Sequence, residues 1–100
     1  MRINKQSLQL TLLVAVGPPI IYTPANRYDC TDPEFVISKE LSISFGGGQA
    51  LIIAGAADQE DFYTWPCCSI EDVKKFLPEA LDYCETVLLK PVRTTTEKRS

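Results

Sequence analysis

The chain has 100 residues, 45% of them hydrophobic and 23% charged, which suits a single packed core and is too apolar for a disordered chain. Its formal net charge is −3, yet residues 28 to 85 hold twelve acidic residues against three lysines, a balance that disfavours phosphate backbones and favours basic protein surfaces. It contains no histidine, which excludes Ser-His and Cys-His nucleophile pairs and histidine-ligated metals within the chain.

Near the N-terminus, Arg2 and Lys5 precede an apolar run from Leu8 to Val16. A charged start before a short hydrophobic stretch has the outline of an export signal. The run also alternates, with Leu8, Leu10, Leu12, Val14 and Val16 on one side and Gln9 and Thr11 on the other, which predicts a half-buried strand over 8–16. Gly17-Pro18-Pro19 makes a poor cleavage region and ends that strand. Ile20 to Thr23 resumes as a short strand at a sheet edge.

Pro24 to Pro33 reads as a long loop, rich in turn formers and carrying Arg27, Tyr28 and Cys30. Glu34 to Phe45 is expected to form one strand, with Phe35, Ile37, Leu41, Ile43 and Phe45 on a single face and Lys39 marking a bulge or the end of burial. Gly46-Gly47-Gly48 follows, and because an apolar strand (Gln49 to Ala54) comes next, it reads as a hairpin turn rather than a phosphate cradle.

Asp58, Glu60 and Asp61 sit in the next turn, followed by Phe62-Tyr63-Thr64-Trp65 as a short strand that Pro66 is expected to stop. Ser69 is a helix N-cap, with Asp72 at the capping-box position and Glu71 suited to the positive end of the helix dipole. From Ile70 to about Leu89 the apolar residues recur at three- and four-residue spacing, in phase across Pro78, so one proline-kinked helix is expected. The fold class is therefore α+β: a small two-layer sandwich with a mostly antiparallel sheet of three to five strands and one C-terminal helix. Residues 1–92 form the single domain, and 93–100, which contain no apolar residue, form a flexible tail.

Four cysteines, Cys30, Cys67, Cys68 and Cys84, have neither zinc-site spacing nor a disulfide framework. They imply a reducing, cytoplasmic setting. No metal or cofactor is implied, since the acids at Asp58, Glu60 and Asp61 lack the calcium-loop pattern. With no catalytic constellation present, the expected function is non-catalytic protein binding. The candidate contact residues are Asp58, Glu60, Asp61, Tyr63, Trp65, Glu71 and Asp72: carboxylates beside aromatic anchors. The expected partner is a larger protein or complex with a basic surface, without direct nucleic-acid or membrane binding. Small acidic single domains of this profile occur among phage and mobile-element accessory proteins that inhibit host nucleic-acid-binding or defence complexes, an analogy of profile alone. Two other readings compete: a structural subunit of a homo-oligomer or virion assembly, joined by sheet edges into a homodimer or larger form, and a thiol-dependent redox protein using Cys67 or Cys68.

Overall fold

A computed structural model describes residues 3–26, 28, 31–90 and 92. Within them, helix α1 (Lys5–Val16) precedes five strands, β1 (Ile21–Thr23), β2 (Glu34–Val36), β3 (Leu41–Gly46), β4 (Gln49–Ala54) and β5 (Tyr63–Cys67), and helix α2 (Ile70–Thr86) closes the chain. The strands form one antiparallel meander in the order β1-β2-β3-β4-β5. Both helices lie with the core, so the architecture is the expected α+β sandwich with one helix more than the sequence reading assigned.

That extra helix corrects the strand expected over 8–16. Asn4 caps it: its Oδ1 accepts the Ser7 N–H at 2.8 Å, while Ser7 Oγ accepts the Asn4 N–H at 3.1 Å. The reciprocal pair satisfies two of the four donors that a helix start leaves open. Gly17, at φ 75°, ends the helix, and its N–H returns to the Leu13 carbonyl at 3.0 Å. Between these stops four leucines, two glutamines and one alanine, which favour helix, outnumber the three β-branched residues, Thr11, Val14 and Val16. Leu8 and Leu12, four apart and both fully buried, are the inward stripe. The alternating pattern was coincidental, because Leu13 and Ala15 are apolar as well.

The single strand expected over 34–45 is a hairpin instead. Residues 38–40 turn the chain, with the Ile37 and Ser38 N–H groups donating to the Leu41 carbonyl, each at 3.0 Å. Lys39, exposed, marks that turn, where burial breaks off, rather than a bulge within one strand. Phe35, Ile37, Leu41 and Ile43 nevertheless all face the core, because the register pairs Phe35 with Ile43. Gly47 (φ 61°) and Gly48 (φ 81°) make the expected two-residue turn between β3 and β4. Two successive positive φ values suit the right-handed strand twist and favour glycine.

Pro66 does not stop β5, another correction. It lies within the strand, paired with Leu51. Because β5 is an edge strand, its proline can lack an N–H on the unpaired side. Along the buried sheet face run Phe35, Ile43, Ile52 and Trp65, in register across four strands, and α2 packs on the β4 and β5 end of that face, adding Ile70, Val73, Leu77, Ala80 and Cys84 to the same core. Helix α2 runs unbroken through Pro78 and ends at Thr86, three residues before the expected limit. The sheet's other face carries Val36, Ser42, Ser44, Leu51, Ile53 and Thr64, all half-buried. Cys30, Arg27 and the tail over 93–100 lie outside the described residues.

Candidate docking site

The five carboxylates and two aromatics singled out from the sequence do not form one surface. Helix α2 runs back antiparallel to β5, so it separates them into two groups. Asp58, Glu60 and Asp61 are exposed in the β4–β5 connection, and the α2 C-terminal half lies beside them, since Tyr83 Oη donates to the Asp61 carbonyl at 2.7 Å. Glu71 and Asp72 are at the opposite end, in the first turn of α2. About eleven residues of helix intervene, or roughly 16 Å at 1.5 Å per residue.

At that far end, Asp72 has a local structural task. Its Oδ2 accepts the Cys68 N–H at 3.0 Å, while its own N–H donates to Ser69 Oγ at 3.3 Å. The pair closes the helix start as a variant of the capping box, bonded one residue further back than usual. Glu71 is exposed, and a hydrogen bond from its own backbone N–H holds its carboxyl below the usual range.

Trp65 is 8% exposed and belongs to the core, so it offers no free face. Tyr63, on the same side of β5, is 52% exposed. Its ring stands edge-on to Trp65 at 4.8 Å between centroids and 5.6 Å from Tyr83, and Tyr83 in turn meets Trp65 at 5.6 Å. The trio anchors the β4–β5 turn to α2. A half-exposed tyrosine locked by two aromatic neighbours presents area at little further entropic cost.

Negative charge gathers around that anchor. Glu40, Glu60 and Asp61 line a shallow depression of about 360 Å³ together with Gln59, Leu88 and Lys90. Asp82 and Glu85 are exposed in the last turns of α2, which has no basic residue there. Acids at a helix C-terminus oppose the negative end of its dipole, so this placement costs stability instead of adding it. The Tyr83 hydroxyl feels the local environment: desolvation first, then the Asp61 charge, push its pKa up. Sequence reasoning missed Glu40, Asp82 and Tyr83 as parts of this pole. The helical spacing from Asp82 to Glu85 was visible, but Glu40 and Tyr83 join only through the fold.

The thiols divide by burial. Cys67 is 1% exposed and Cys84 fully buried, and desolvation is the main cause that pushes each pKa up to about 11. A thiol so protonated is a poor nucleophile at neutral pH. The Cys67 Sγ also donates to the Trp65 carbonyl at 3.5 Å. Cys68 alone among the described cysteines is exposed.

Among the described residues, no group of three or more Cys, Asp or Glu side chains could hold a metal ion, and no helix is long and apolar enough to cross a membrane. Compared with protein-family models, curated proteins and solved structures, the chain matches none.

Proposed function

We propose that this chain is a non-catalytic, acidic protein-binding module that docks the pole around Asp58, Glu60, Asp61 and Tyr63 onto a basic surface of a larger protein. The observation that carries the reading is the concentration of carboxylates there, including Asp82 and Glu85 at a helix end where they cost stability. Charge kept against local stability has its use in long-range attraction of an oppositely charged partner. Tyr63 supplies the desolvated contact that charges alone do not give. Trp65 supports Tyr63 from beneath, and Asp72 shapes the helix start, so neither contributes contact area.

A basic surface that ordinarily holds nucleic acid fits this pole best, since such surfaces are built for clustered anions. Inhibition of a host nucleic-acid-binding or defence complex, as by a phage accessory protein, is the process this profile suits. The cytoplasm is the compartment that goes with free Cys67, Cys68 and Cys84.

The test is capture from the native host's lysate at low and high salt, using wild type and a variant with Asp58, Glu60 and Asp61 all changed to lysine. One stoichiometric partner, lost in the variant and at high salt, is the expected result. A partner retained by the variant would overturn the assignment of the pole, and capture of the chain alone would overturn heterologous docking.

A further inference from the structure

Beyond α2 the chain runs into the acidic pole. Leu89, at φ 57°, takes the left-handed conformation that reverses a chain after a helix. The Lys90 N–H then returns to the Cys84 carbonyl at 2.8 Å, and Val92 packs against the core. This exit sets Leu88 and Lys90 into the wall of the depression that Glu40, Glu60 and Asp61 also line. One ammonium of the C-terminal segment thus stands among three carboxylates, which leaves the depression with two negative charges in excess. The residues that follow have the opposite sign: Arg93, Lys98 and Arg99 outnumber the one acid, Glu97, and no apolar side chain occurs from 93 to 100 to hold the segment elsewhere.

We propose that residues 93–99 fold back on this pole and occupy it in the free protein, an autoinhibitory contact that a basic partner displaces. The inference rests on the docking reading above and adds how that site is regulated. Three considerations select this occupant. The first is charge: the segment brings three cations to a site whose own cation, Lys90, belongs to the same stretch of chain. The second is the point of exit, since Leu89 and Lys90 fix the start of the segment at the depression and not across the molecule from it. The third is reach. Arg93 is three residues beyond Lys90, hence within about 11 Å of it, and a polar chain of nine residues, from Lys90 to Arg99, has an r.m.s. span of roughly 15–18 Å.

Tethering makes a weak attraction sufficient. A short linker holds its segment at an effective concentration in the millimolar range, so a few exposed ion pairs, each of little strength in water, keep the pole occupied most of the time. The contact stays reversible because it buries no apolar surface and salt screens it. If the segment covers the pole for about 70–90% of the time, it weakens the apparent affinity for a partner about 3- to 10-fold. A densely basic partner overcomes that deficit and a weakly basic one does not, so the segment also sharpens selectivity.

Two measurements on the full chain test the proposal, each comparing wild type with a variant carrying Arg93→Ser, Lys98→Ser and Arg99→Ser together. Proton–nitrogen correlation spectra at low salt should differ at the amides of Glu40, Gln59, Glu60 and Asp61, all distant in sequence from the changes, and the difference should vanish at high salt. Fluorescein-labelled octalysine, used as the basic probe, should bind the variant about 3- to 10-fold more tightly than wild type. Unchanged amides at the pole, or shifts gathered on another surface, would overturn the proposal. So would equal octalysine affinity in the two proteins. If that equal binding is lost when Asp58, Glu60 and Asp61 are changed to lysine, the tail contact falls while the docking pole stands. Shifts at the pole together with tighter octalysine binding, when the charge-reversed chain still captures the wild-type partner from lysate, would support the tail contact and overturn the docking reading alone.

Discussion

Leu12 and Val14 are two residues apart, and a strand would place them on the same face. In α1 they diverge: Leu12 is fully buried and Val14 is 81% exposed. Truncating each to alanine therefore separates helix from strand by energetics alone. Leu12→Ala removes buried carbons and leaves a cavity beneath the helix, a loss of about 2–5 kcal/mol. Val14→Ala removes atoms that water already reaches, and its cost is expected within about 0.5 kcal/mol. For a domain of this size each kcal/mol lowers Tm by about 4–8 °C, so a 3 kcal/mol loss at Leu12 is a fall of roughly 12–24 °C. Urea unfolding followed by far-UV circular dichroism gives both values from the shift in midpoint at constant slope. Equal costs at the two positions would refute the helical placement of α1.

The capping of α2 predicts that Ser69→Ala lowers stability by about 1 kcal/mol, read as a Tm fall of about 4–8 °C, because the Asp72 N–H loses the Ser69 Oγ and keeps only the Ser69 carbonyl as acceptor. The buried thiols predict an alkaline limit. Cys67 and Cys84 stay protonated in the fold to about 11 against 9.0 when exposed, so above pH 9 unfolding releases protons that folding retains. Stability is then fully present below pH 9 and falls as pH rises from 9 through 11; a flat denaturation midpoint over that window would contradict the burial of both thiols. Alkylation under native conditions at neutral pH should modify Cys68 ahead of Cys67 and Cys84, and peptide mapping by mass spectrometry shows whether that order holds.

Much of the sheet was legible because its signals are local. Gly47-Gly48 states its own turn through glycine's tolerance of positive φ, and the Phe35–Ile43 alternation names the buried face even across the misjudged turn at residues 38–40. Helix α2 was readable from Ser69 and its stripe. Helix α1 was misread because Leu10, Leu13 and Val14 are exposed while Leu8 and Leu12 are buried, so apolar residues fall on both sides and blur the helical period. The surviving signal was the Asn4–Ser7 cap, in residue types less familiar than Ser followed by Glu. At the docking pole, the Asp58–Asp61 acids were visible as a run. Their neighbours Tyr83 and Glu40 were not, because a contact spanning 22 residues, such as Tyr83 to Asp61, exists only once α2 has folded back along β5. Conversely, Trp65 looked like a surface anchor from strand alternation, which pairs it with Tyr63 but does not say how deeply the covering helix buries each one.

The most direct test of the docking account is the ionic-strength dependence of binding to the captured partner, measured by surface plasmon resonance for wild type and for the Asp58, Glu60 and Asp61 to lysine variant. The account predicts an association rate that falls steeply with salt in wild type, and a variant that binds far more slowly at low salt with most of that dependence gone. An association rate insensitive to salt, or one the charge reversal leaves unchanged, would contradict it.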